Sequence, residues 1–198
     1  IMFSDKLEPL EFVKSYYEIP FEEFGILMFH PVTTEVEQME NYAQNLVKSV
    51  VDSDENYVVI APNNDLGSEA IFDAYNVLAE QPNIRMFPSL RFEYFLVLLK
   101  HAQFLLGNSS TGIREAPYYG VPSINIGTRQ QNRSLHAEII NCDYTSMAIS
   151  TAIQKALKRG RYEADSRFGS GKSDEQFLEI LNKSKLWKSS KQKLFKDR

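Results

Sequence analysis

Apolar runs of strand length alternate with helical patterns along the chain, and this alternation constrains the fold more than any other feature. FGILMF (24–29), YVVI (57–60), IRMF (84–87), FLL (104–106) and PSINI (122–126) read as strands, and AEIINC (137–142) as a sixth. In residues 35–51, Val36, Met39, Ala43, Leu46, Val47 and Val50 recur with a period of about 3.6 residues, which specifies a helix. Further helices are expected at 68–80 with Ser68 as N-cap, at 91–102, at 111–120, at 146–160 ending on Gly160, and at 174–184. A first helix is expected within LEPLEFVKSYYE (7–18). Strand and helix in strict alternation predict an α/β fold, a parallel sheet covered on both faces. The strands are near-continuous apolar runs rather than alternating ones, as expected when both faces are covered. Right-handed crossovers then make the sheet Rossmann-like.

Composition limits what such a sheet can do. The 198 residues are 43% hydrophobic and 24% charged, enough for one core and ordinary for a globular domain. The net charge of -4 argues against a general nucleic-acid surface. No apolar run approaches the roughly 20 residues of a membrane helix, and IMFSDKLEPL lacks the apolar stretch of a signal peptide. The one cysteine, Cys142, excludes an internal disulfide, fits a reducing cytosol and is expected as a buried core thiol. A cytoplasmic placement follows as an expectation. The division expected is a domain over 1–185 and a basic tail over 186–198. That tail is either solvated or docked through Leu186, Trp187, Leu194 and Phe195.

Four polar clusters each follow a strand, where ligands bind in open α/β sheets. In HPVTT, His30 leaves the first strand and Thr33 and Thr34 precede a helix N-terminus, which suits an anion; Thr34 as a plain helix cap is the alternative. PNNDLGS brings Asn63, Asn64, Asp65 and Gly67 to a turn that is otherwise an ordinary loop. In GNSSTGIRE, Gly107 permits close backbone approach, and Ser109, Ser110 and Thr111 open a helix as a phosphate cradle would. Glu115, one turn on, suits a ribose diol; helix capping by serine is the competing reading. No Walker Lys-Ser/Thr pair follows the glycines. In GTRQQNR, Arg129 and Arg133 could neutralise a diphosphate, or the segment is a solvated loop. His30, His101 and His136 are isolated, so no metal site is expected. Together the clusters point to a phosphorylated ligand.

FHPVTTE, PNNDLGS, GNSSTGIREAPYYGVPSINIGTRQ and FGSGKSDE, in this order, resemble the UDP-N-acetylglucosamine 2-epimerases over about residues 5–185. The GNSS and GTRQ forms are similar to the hydrolysing branch, whereas the non-hydrolysing relatives resemble SGGIQEE in the third motif. The resemblance implies the C-terminal domain of a GT-B fold, with UDP and sugar in the cleft facing a missing N-terminal domain that supplies the acidic groups for proton transfer. It implies a UDP-sugar, UDP-N-acetylglucosamine or a diacetamido analogue, as ligand, no cofactor, no nucleic-acid or membrane partner, and a homo-oligomer in the full-length enzyme. It places His30 and Arg129 as catalytic residues at the phosphates and sugar. Asn63 would line the site, Leu90 and Phe95 would flank uracil, Ser109 and Ser110 would bind the diphosphate, and Glu115 the ribose. Gly169 and Gly171 match the family's YGDG, with Ser170 in place of its Asp. The implied reaction eliminates UDP and hydrates the glycal with inversion at C2, for sialic-acid-type biosynthesis, and the 198 residues alone are expected to be inactive. A GT-B glycosyltransferase domain or a non-catalytic UDP-sugar-binding module are the alternatives.

Overall fold

The computed structural model describes residue 2 and residues 6–133 and 138–188. His136, Leu194, Phe195 and the first residue of the expected sixth strand lie outside them. Six parallel strands form one sheet: β1 (Gly25–Met28), β2 (Tyr57–Ile60), β3 (Ile84–Phe87), β4 (Leu105–Gly107), β5 (Ser123–Ile126) and β6 (Ile139–Cys142). Their spatial order is β3-β2-β1-β4-β5-β6. The expected Rossmann-like sheet is present, with every strand within a residue or two of its expected limits.

Successive strand residues point to opposite faces, and both faces are apolar. Leu27, Val59, Leu106, Ile124 and Ile126 enter one core with α2 (Met39–Asp52), α3 (Ser68–Ala79) and α6 (Ser146–Arg159). Ile26, Val58, Ile60 and Leu105 enter the other with α1 (Leu10–Tyr16), α4 (Phe92–His101) and α5 (Thr111–Tyr118). On this second face β5 presents the buried Ser123. A Cβ added to Gly112 of α5 would sit 2.4 Å from the Ser123 hydroxyl, so this helix rides closer to the sheet than larger side chains would allow.

The helix limits differ in instructive places. Residues 35–51 begin as a single 3-10 turn, Val36–Gln38, before α2. Ser68 is the first residue of α3 rather than its cap; the cap is Gly67, in the left-handed region at φ 96°. The segment 174–184 divides into α7 (Ser173–Leu181) and the short α8 (Ser184–Trp187). Neither buries a residue, and Trp187 is 71% exposed. The α6 C-terminus on Gly160 stands as expected, at φ 66°. Cys142 is half-buried, and burial, aided by Asp143, pushes its thiol up to about 12. Among the described residues no helix is long and apolar enough to cross a membrane.

Candidate functional site

The strand order reverses between β1 and β4, so their helices leave on opposite faces and a crevice opens beyond their carboxyl ends. Both strands end there in polar segments. Met28 pairs with Gly107 as the last rung. Gly107 has φ 137°, and a Cβ on it would lie 2.0 Å from the Met28 carbonyl oxygen, so only glycine lets the chain turn at this point. Asn108 follows, fully buried. Its amide oxygen accepts from the His30 backbone N–H at 2.7 Å, and its amide nitrogen donates to the His30 carbonyl at 2.8 Å. A side chain thus continues the ladder where the strands have ended.

His30 is half-buried beside this clamp. Its Nδ1 accepts the Asn63 backbone N–H at 3.2 Å, which leaves the ring proton on Nε2. Burial first, then the Arg129 guanidinium, lowers its pKa to about 4, against a smaller opposing effect of Asp65. Without ligand the ring is therefore neutral at pH 7. Asn63 also donates its side-chain amide to Asp65 at 2.5 Å. Arg129 arrives from the loop after β5 and donates to the Asn108 carbonyl at 3.1 Å, as the Gln130 amide does at 2.9 Å. The Arg129 pKa is lowered by burial and then by Arg133. Arg133 itself is exposed and reaches Gln130 at 3.4 Å.

Ser109 and Ser110 open α5. Ser110 occupies the N-cap position but makes no side-chain cap bond, and Ser109 takes only a long 3.4 Å bond from the Thr111 N–H. Both half-buried hydroxyls thus sit at the positive end of the helix. Thr33 and Thr34 are exposed; the turn after them is capped at Glu35, without a side-chain bond, so the capping reading of Thr34 does not hold. Glu115, one turn into α5, lines a cleft of about 340 Å³ with Arg114, Tyr118, Gly169, Ser170 and Gly171. Burial raises its pKa; a backbone N–H, Arg114 and the Thr111 hydroxyl offset part of that.

The structure gathers His30, Asn63, Ser109, Ser110 and Arg129 around the ends of β1, β2, β4 and β5, while Glu115 lies one turn along α5. Leu90, before α4, is half-buried. Phe95 corrects an expectation: it is 6% exposed and packs in the core under α4, so it has almost no surface to offer a base. Two groups escaped the sequence reading. One is Asn108, inside the quoted GNSS but read there only through its hydroxyl neighbours. The other is the set Glu35, Thr128 and Tyr144, in which the Thr128 hydroxyl donates to Glu35 Oε1 at 2.5 Å and the Thr128 N–H to the Tyr144 hydroxyl at 3.2 Å. Among the described residues no group of three or more His, Cys, Asp or Glu is placed to hold a metal ion.

A family model described as UDP-N-acetylglucosamine 2-epimerase matches residues 3–182. A protein of Neisseria meningitidis serogroup B named UDP-N-acetylglucosamine 2-epimerase is 50% identical over 200 residues, covering 100% of this chain and 53% of that protein. The UDP-N,N'-diacetylbacillosamine 2-epimerase (hydrolyzing) of Legionella pneumophila is 28% identical over 162 residues, 82% of this chain and 43% of that one. The chain spans about half the length of the curated relatives it matches. Among solved structures, the Methanocaldococcus jannaschii UDP-GlcNAc 2-epimerase in complex with UDP-GlcNAc and UDP superposes with a TM-score of 0.70 at 20% identity, over 86% of this chain and 48% of that one. At that identity the likeness speaks to the fold.

Proposed function

Because the chain belongs to the UDP-N-acetylglucosamine 2-epimerase family, we propose that it is the nucleotide-sugar-binding half of a hydrolysing 2-epimerase. One observation carries this reading: at the crevice where the strand order reverses, His30, Arg129 and the Ser109–Ser110 helix N-terminus converge around one buried residue, Asn108. A helix N-terminus with two serine hydroxyls and a guanidinium is a set of donors for a diphosphate. Glu115, a partly desolvated carboxylate with room beside it, suits the two hydroxyls of a ribose.

The reaction proposed is loss of UDP with cleavage of the C1–O bond as the C2 proton is removed, then addition of water to the glycal with inversion at C2. This half acts on the leaving group. Donors placed in advance around the β-phosphate stabilise the charge that develops there. His30, neutral with its proton on Nε2, donates a hydrogen bond toward the phosphate or the sugar. The groups that move the C2 proton belong to the other half of the full-length enzyme. N-acetylmannosamine, or a related sugar for sialic-acid-type biosynthesis, is the proposed product.

Calorimetric titration of the 198 residues with UDP tests the site, and a UDP-release assay tests the division of labour. Saturable UDP binding without turnover of UDP-N-acetylglucosamine is expected. Robust turnover by this chain alone would show that its own residues complete the catalysis, and absence of UDP binding would overturn the reading of the crevice.

A further inference from the structure

The loop after β5 is fixed at three consecutive residues. Gly127 donates to the Cys142 carbonyl at 2.9 Å, and a Cβ on it would overlap the Tyr144 ring. Thr128 is gripped by its hydroxyl, which donates to Glu35, and by its N–H, which donates to the Tyr144 hydroxyl. Tyr144 in turn stacks on Tyr42 of α2, with centroids 3.6 Å apart and planes 4° from parallel. The next residue is Arg129, whose guanidinium lies on Asn108 beside His30. Glu35 is five residues beyond His30, on the loop that His30 begins. The Glu35–Thr128 bond therefore ties together the two loops that carry His30 and Arg129, across 93 residues of sequence.

Stability alone accounts poorly for this bond. Thr128 is exposed, where a hydrogen bond contributes little, and Glu35 Oε2 is buried with no protein partner, which costs free energy. A residue kept at a cost beside a binding crevice is more economically explained by what it aims.

We propose that Glu35 is a positioning residue: through the Thr128 hydroxyl it sets where Arg129 stands relative to His30, and so how the guanidinium meets the phosphate of a nucleotide. The second half of this inference rests on the nucleotide reading of the crevice; the first half does not. Charged groups acting on the His30 ring are Arg129 and Asp65, so the ring reports the position of Arg129 without any ligand.

The test uses the 198-residue chain and the variants Glu35→Ala, Thr128→Val, Thr128→Ser and Arg129→Ala. NMR titration follows His30, calorimetry follows UDP, and thermal melting checks that each variant is folded. If Glu35 positions Arg129, the His30 midpoint rises in Glu35→Ala and Thr128→Val toward that of Arg129→Ala, and stays at the wild-type value in Thr128→Ser, which keeps the hydroxyl. UDP affinity should fall between about twofold and tenfold in the first two. Combined with Arg129→Ala, either variant should bind UDP no more weakly than Arg129→Ala alone, because groups acting through one another are not additive. A His30 midpoint unmoved in Glu35→Ala and Thr128→Val but moved in Arg129→Ala overturns the positioning role, as do losses that add to those of Arg129→Ala. Wild-type chain that fails to bind UDP while the midpoints shift as described overturns the nucleotide reading and leaves the positioning of Arg129 standing.

Discussion

Asn108 holds His30 from both sides, accepting from its N–H at 2.7 Å and donating to its carbonyl at 2.8 Å, although 78 residues separate them. The clamp joins the ends of β1 and β4 where regular pairing has stopped. With Asn108 fully buried, removing its amide strands two backbone groups away from water. Asn108→Ala should lower unfolding free energy by about 2–4 kcal/mol, measured by urea denaturation. Asn108→Asp keeps the acceptor but sets a buried carboxylate oxygen against the His30 carbonyl, so at neutral pH it should destabilise at least as much as Asn108→Ala. Equal stability of all three proteins would mean that the clamp contributes nothing.

Gly107 stands immediately before that clamp. Alanine there needs φ near 137° and brings a Cβ to 2.0 Å from a backbone oxygen that cannot swing aside. Gly107→Ala should destabilise the chain by about 2–4 kcal/mol or prevent folding. A melting temperature within a degree or two of wild type would show that the turn relaxes freely.

The fold was legible because its cause is local and repeated. A strand buried on both faces must be apolar at nearly every position, and YVVI and FGILMF announce that directly, although SINI buries Ser123 and Asn125 as well; the helical period between the strands does the rest. Caps were less legible. Ser68 reads as a cap by type, but Gly67 takes that place in the left-handed conformation and the helix begins one residue earlier than that reading assumes. Of the site, the loop residues after each strand were legible, because a parallel sheet sends its strand ends to one edge. The contacts that hold them were not. Asn108 to His30 and Glu35 to Thr128 are pairings of distant residues, and no spacing rule reaches across 78 or 93 positions. Phe95 failed for a related reason: α4 buries five consecutive residues from Phe95 to Leu99, so its helix has no free face there.

The histidine carries a pH dependence with a definite sign. Burial and then Arg129 lower its pKa to about 4 from an ordinary 6.5. Between those values the unfolded chain binds the proton and the folded chain does not. This contribution to stability is therefore complete above pH 6.5 and is lost as pH falls toward 4. Protonation of Nδ1 would also remove the acceptor that Asn63 uses. NMR should place the His30 midpoint near 4 in the free chain, and UDP should raise it, since a nearby anion favours the charged ring. A free midpoint near 6.5 would mean that the ring is solvated. His30→Ala in the full-length enzyme should reduce turnover strongly while leaving the melting temperature at neutral pH close to wild type; a large fall in melting temperature with normal turnover would make the histidine structural.

Glu115 should trade stability for binding. Burial is the main influence on its carboxyl and raises its pKa, with partial relief from a backbone N–H, Arg114 and the Thr111 hydroxyl. The sign is opposite to that of a stabilising acid. The folded chain holds the proton more tightly than the unfolded chain, so stability falls as pH rises through the titration, and at pH 7 the ionised carboxylate is a net burden. Glu115→Gln removes the charge and keeps the shape, so it should raise the melting temperature at pH 7 and have less effect at pH 4. The same variant should weaken UDP binding, because a carboxylate accepts from two ribose hydroxyls better than an amide does; a loss of about 1–3 kcal/mol is expected if those bonds form in a shielded cleft. Ser109→Ala should weaken UDP binding by a comparable amount, yet without the gain in stability, since its hydroxyl makes only the 3.4 Å bond to Thr111. Melting curves at pH 4 and 7 with calorimetry on both variants decide the matter. Unchanged UDP affinity in both would leave Glu115 and Ser109 as no more than the first turn of a helix.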